Sequence, residues 1–185
     1  HGLRKVRLTG GEPTLRDDLP EIVARLARIE GLDDLALTTN GLTLHRQAGE
    51  LARAGLKRVN VSLDSMDREG FRHLTGVDGL PRVLEGIDAA VAAGLTPLKL
   101  NAVVIRGEND GQLNALLGFA AERGHAIRFI ELMPMGPLAG RWGERYVPEA
   151  EMRELVKPEN YLGVAQSVVE RVVSRAAAQI GAKRG

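Results

Sequence analysis

The sequence predicts an α/β protein on a parallel sheet: a partial (β/α) barrel of the TIM type, truncated at its N-terminus. Three observations predict it. A strand, a polar turn and an amphipathic helix recur five times in the same order. The long helical patterns are each followed by a glycine, Gly31, Gly55, Gly94 and Gly124, where a left-handed helix stop is wanted. The strands, finally, are apolar on one face only, whereas strands sandwiched between two helix layers read as continuous apolar runs. A polar second face suits a curved sheet whose concave side holds a polar ligand. A closed eight-unit barrel needs about 250 residues, and 185 residues with five legible strands fall short of it.

The elements follow in order. Strands are expected at Arg4–Thr9, Leu35–Thr39, Arg58–Asp64, Pro97–Ile105 and Ala126–Met133. Helical spacing of apolar residues marks Asp18–Glu30, His45–Ala54, a shorter Asp67–Leu74, Leu80–Ala93 and Asp110–Arg123; Val83, Leu84, Ile87, Ala90 and Val91 make one such stripe. Alternation puts Val59, Val61 and Leu63 on one face and Asn60, Ser62 and Asp64 on the other. In the same way Val6 and Leu8 oppose Arg7 and Thr9, Leu35 and Leu37 oppose Ala36 and Thr38, and Leu98 and Leu100 oppose Lys99 and Asn101. Residues 1–135 form the barrel portion. Residues 136–185 read as a loop, a short helix near Glu149–Val156 and a Val/Ala-rich tail with a helical stripe.

Composition narrows the function. The 25 basic and 24 acidic residues nearly cancel and aromatics make up 3% of the chain, so neither the charge nor the stacking platforms of a nucleic-acid binder are present. There is no cysteine, hence no disulfide framework and no thiolate metal site. No apolar run approaches the roughly 20 residues of a membrane span, and a cytoplasmic protein is expected. A homodimer is left open. The first residues step directly into a strand, as an interior piece of something longer would.

Parallel α/β folds place ligands at the C-terminal ends of their strands. Those ends carry Thr9, Gly10, Gly11 and Glu12; Thr38, Thr39 and Asn40; Ser62 and Asp64; Asn101; and Glu131 and Met133. Gly10 and Gly11 permit close backbone approach, Pro13 fixes the exit of the turn, and Glu12 offers a carboxylate to an ammonium or hydroxyl. Alternatively the stretch is only a strand-to-helix turn; it matches neither a Walker loop nor G-x-G-x-x-G. Arg7 and Lys99 lie mid-strand on the polar face, where an unpaired charge is costly. They want an anion, with an ion pair to Asp64 as the alternative. Arg128 is a further candidate, although its parity with Glu131 implies a bulge or twist if both point inward. The four histidines share no metal-ligand spacing. No catalytic or metal-ligating residue is assigned.

VRLTGGEP, LALTTNG, LKRVNVSLD, LKLNAVVIRGEND and IRFIELMPMG, in this order, resemble the GTP 3′,8-cyclase family (MoaA) of molybdenum-cofactor biosynthesis, within the radical S-adenosylmethionine (SAM) superfamily. The likeness covers about residues 2 to 155. It implies a six-unit partial barrel in which SAM, chelated by a 4Fe–4S cluster, yields a radical that abstracts the ribose 3′ hydrogen of GTP. Matched motif by motif, Gly10, Gly11, Glu12 and Pro13 of the turn, with Ser62 and Met133, fall on the SAM side. Arg7, Thr38 and Lys99 fall on the GTP side. The family carries two cysteine clusters, one before and one after the matched stretch, and neither is found in these residues. The expectation is a fragment that is inactive alone, with a non-catalytic nucleotide-binding module as the alternative.

Overall fold

The computed structural model of the protein describes residues 2–135 and 140–156. Five strands, β1 (Lys5–Leu8), β2 (Asp34–Thr39), β3 (Arg58–Ser62), β4 (Lys99–Val104) and β5 (Ala126–Glu131), form one sheet. All neighbours pair in parallel and the spatial order is the chain order. That order has a geometric consequence. Right-handed crossovers between successive neighbours leave every helix on the same face, whereas a doubly wound sheet reverses direction and covers both. The result is a partial (β/α) barrel with its second face free.

The helices are α1 (Leu19–Ala27), α2 (Leu44–Ala54), α3 (Arg68–Thr75), α4 (Leu80–Ala92) and α5 (Leu113–Glu122), followed by α6 (Trp142–Arg145) and α7 (Glu149–Leu155). Their apolar stripes meet the apolar strand faces: Leu35, Leu37, Val59, Val61, Leu63, Leu98 and Leu100 pack with Val23, Leu51, Val83, Ile87 and Leu116 in one core. Burying each such side chain contributes about 1.5–3 kcal/mol. Asp67 starts α3, its carboxylate accepting from the Gly70 N–H at 2.6 Å as the helix N-cap. Gly55 closes α2 in the left-handed conformation at φ 108°, and a Cβ there would meet Ala27 Cβ at 2.5 Å. Gly86 serves packing instead, since a Cβ at that position would come within 2.7 Å of the Gly41 carbonyl where α4 crosses the start of α2.

The expected helix Asp110–Arg123 divides into a 3-10 turn, Asp110–Gln112, and α5, and the four-residue α6 escaped the sequence reading. Four strands are shorter than expected, β3 stopping at Ser62 and β5 at Glu131, whereas β2 begins one residue earlier than expected, at Asp34. Beyond residue 139, α6 and α7 dock on the outer end of β4 and β5. Arg106 holds Glu151 through two 2.7 Å bonds and also donates to the Tyr146 carbonyl. Val147 and Met152 seal a second small core with Val104 and Leu113. The Val/Ala-rich tail lies outside the described residues.

Candidate functional site

The free face of the sheet is built in register rows. Thr38, Asn60, Lys99 and Ala126 are successive partners across β2 to β5. The next row towards the strand C-termini is Ser62, Asn101 and Arg128. The row towards the N-termini is Arg7, Ala36 and Arg58. The structure therefore brings Arg7, Thr38, Ser62 and Lys99 onto one surface, as alternation predicts.

The alternative to an anionic ligand, an ion pair of Arg7 or Lys99 with Asp64, does not form. Asp64 Oδ1 accepts the Val103 N–H at 2.8 Å instead. Burial pushes its carboxyl above the ordinary range, opposed only by that backbone bond and by no neighbouring cation. Among the described residues neither Arg7 nor Lys99 has a hydrogen-bond or ion-pair partner. The ion pair this face does contain joins Arg58 to Asp34, with Nε–Oδ1 at 2.9 Å and Nη2–Oδ2 at 2.6 Å, the side chains 17% and 21% exposed. Hydrogen bonding from Arg58 holds the Asp34 carboxyl below the usual range, with Lys5 and Arg7 adding to the effect. Arg58 could have been found in the sequence, since it shares parity with Asn60 and Ser62.

Asp64 carries a checkable consequence. A carboxyl raised by burial contributes its full stability below the unfolded value and loses it as pH rises through the folded value. Asp64→Asn keeps an acceptor for Val103 N–H and removes the buried charge. The variant should be more stable than the parent by about 1 kcal/mol at neutral pH, with the gap closing as pH falls. Urea unfolding at pH 7 and in acid measures it; a variant less stable at both would contradict the reading.

The turn after β1 has two distinct parts. Glu12 is turned inward against the chain. Its Oε1 accepts from Thr14 N (3.0 Å), Thr14 Oγ1 (2.6 Å) and Thr39 Oγ1 (2.7 Å), and Oε2 from Asn40 N (2.6 Å). Pro13, buried, opens the 3-10 turn that Glu12 caps. Thr39 is thereby 2% exposed on the helix side, while Thr38 remains on the free face. Gly10 and Gly11 differ. Neither has positive φ, and a Cβ on either would meet nothing within 4 Å. Nothing within the described chain requires glycine there, which leaves the backbone open to an outside group.

Glu131 departs from expectation. The β4–β5 register runs unbroken from Lys99↔Ala126 to Val104↔Glu131, so there is no bulge, and Arg128 and Glu131 lie on opposite faces. Arg128 stays on the free face. Glu131 accepts from Tyr146 Oη and Glu149 N, both at 2.8 Å, and fastens the start of α7. Met133 lies past β5 and is 58% exposed. Asn109 was not singled out in the sequence reading. It is 1% exposed and its amide ties the rim of the site, donating to the Asp64 and Val103 carbonyls at 2.9 Å and accepting from Ile105 N at 2.7 Å. Of the histidines, His73 contacts Glu108 at 2.9 Å, and His125 is held below its usual range by burial. Among the described residues no cluster of three or more metal-ligating side chains occurs, and no helix is long and apolar enough to cross a membrane.

A one-layered parallel sheet whose free face carries unpaired cations and open glycines at the strand ends defines a barrel-type binder of small polar ligands. The chain belongs to the radical SAM superfamily, whose sequence profile matches residues 1–120. Relatives with the curated name GTP 3′,8-cyclase include proteins of Acidothermus cellulolyticus (53% identical; 82% of this chain, 42% of that protein) and Pelotomaculum thermopropionicum (46%; 84% and 48%). The chain spans about half the length of these curated relatives. Among solved structures, a domain of the pyruvate-formate lyase-activating enzyme of Bacteroides vulgatus shares the fold at TM-score 0.62 and 21% identity, covering 82% of this chain and 89% of that one. Coproporphyrinogen III oxidase of Escherichia coli, a radical SAM enzyme, matches at TM-score 0.59 and 13% identity, over 92% of this chain and 40% of its own.

Membership implies SAM and a 4Fe–4S cluster. The residues fit the first of these, through the open Gly10–Gly11 backbone and a buried Asn101 Oδ1 that has no partner. They do not fit the second, because none of the 185 residues is a cysteine.

Proposed function

We propose that the chain forms the SAM- and nucleotide-binding part of a GTP 3′,8-cyclase of molybdenum-cofactor biosynthesis, acting in the cytoplasm. The overall reaction is the radical conversion of GTP to 3′,8-cyclo-7,8-dihydro-GTP. The observation that carries this reading is the unpaired Lys99 on the free face, in register with Asn60 and with Thr38 beyond it, in a chain 46–53% identical to proteins of that name. Arg7, Thr38 and Lys99 supply donors and positive charge to the GTP phosphates and their polar neighbours. Gly10 and Gly11 offer their backbone to the SAM amino-acid end, Glu12 and Pro13 hold that turn in shape, and Ser62 and Met133 complete the pocket. When bound, SAM supplies the group that abstracts hydrogen from the substrate.

The 185 residues by themselves are inactive, since they contain no thiolate for the cluster. That same composition favours the second reading, a nucleotide-binding module without catalysis. Calorimetry on the 185-residue chain should show separate, weak binding of GTP and of SAM, with no turnover after iron–sulfur reconstitution. Failure to bind GTP would remove the substrate assignment. Turnover by the chain alone would overturn the inactivity.

A further inference from the structure

Asn60 is the least expected residue of the free face. It sits mid-strand in the centre of the sheet, 1% exposed, where an apolar side chain would be satisfied. Its Nδ2 donates to Thr38 Oγ1 at 3.3 Å, and its Oδ1 is buried with no partner. A half-satisfied buried amide is costly and calls for a reason. Its register neighbours are Thr38 on one side and Lys99 on the other.

Electrostatics selects the orientation of the amide: with a lysine ammonium on the β4 side, the carbonyl end belongs there and the NH2 end towards Thr38. Thr38 Oγ1 then accepts from Asn60, and its own proton has no acceptor among the described residues. A hydroxyl whose lone pair is engaged by a neighbour, and whose proton is not, presents itself outward as a donor. Beside it stands Lys99, a cation with donors only.

We propose that Asn60 is the positioning residue of the substrate side: it fixes Thr38 as a hydrogen-bond donor beside Lys99, so that the Thr38–Asn60–Lys99 row takes an anionic oxygen, such as a phosphate oxygen. The inference rests on the GTP reading above and deepens it. Asn60 need not touch the ligand, and it acts through Thr38.

The test is a double-mutant cycle on the 185-residue chain, read by calorimetry with GTP, with inorganic tripolyphosphate and with SAM. Asn60→Leu, close to Asn in branching, should weaken GTP and tripolyphosphate about tenfold, as Thr38→Val does, and leave SAM unchanged. If Asn60 works through Thr38, the double variant binds GTP no worse than Thr38→Val alone. Asn60→Asp should lose GTP still further, because its carboxylate accepts the hydrogen bond that the Thr38 hydroxyl would give the ligand and pairs with Lys99, and it serves if Asn60→Leu fails to fold. Additive losses, equal losses for GTP and SAM, or unchanged GTP binding in both Asn60 variants would overturn the proposal while leaving the GTP assignment standing. A parent chain that binds neither GTP nor tripolyphosphate would overturn both.

Discussion

Glu12→Ala should destabilise the protein by about 3 kcal/mol, the scale of removing a charged acceptor from several part-buried donors at once. The carboxylate receives four hydrogen bonds from Thr14, Thr39 and Asn40, and so joins the end of β1 to the end of β2. The damage should spread. Thr14 Oγ1 also accepts from Thr43 Oγ1, and Thr39 Oγ1 from Gly41 N, so two hydroxyls aligned by Glu12 hold the entry to α2. Glu12→Gln is the sharper control. Its carbonyl can keep the three bonds made to Oε1, but its amide faces the Asn40 N–H donor to donor, and a loss of about 1–2 kcal/mol is expected. Urea midpoints of the two variants measure the difference. Equal stability of parent and Glu12→Ala would show that the turn is held by something else.

Lys99→Met should weaken GTP binding about a hundredfold, as expected when a cation that meets a phosphate group is removed, with little change in stability. The second half follows from the site: Lys99 is partly buried on the free face with no partner among the described residues. A cation there carries a desolvation cost that methionine, similar in length, relieves. Affinity therefore falls while stability holds, which separates a ligand contact from a structural lysine. Weakened GTP binding should also depend less on salt than in the parent, because one charge has left the site. Calorimetry at two ionic strengths and a thermal melt check all three; a variant that is destabilised and binds GTP unchanged would refute the assignment.

The sheet and its one-sided polarity were legible because a parallel strand shows its two faces as a period of two, and the β1–β4 segments each display it. Arg7, Thr38, Ser62 and Lys99 were placed correctly on that basis. What was not legible depended on partners distant in the chain. Asp64 has the right parity for a cation, yet its position past the end of β3 puts it over the Val103 N–H. Glu131 looked like part of the site because the strand was read through to Met133; an unbroken ladder turned it to the opposite face, towards Tyr146 and Glu149. Asn109 lies in the polar loop RGEND, where nothing local says that its amide bridges two carbonyls forty-five and six residues away. Glu12 was read as a group offered outward, and only the packing of β2 beside it shows how many donors it already serves.

The Asn109 amide spans the gap between β3 and β4 just past their last paired residues, and the Asp64 carboxylate bridges the same gap to the Val103 N–H. These bonds are internal to the chain and do not wait for a ligand. Ser62 and Asn101, directly below, are thus held at fixed separation in the free protein, so a ligand received there would lose its own freedom without having to order the strands that receive it.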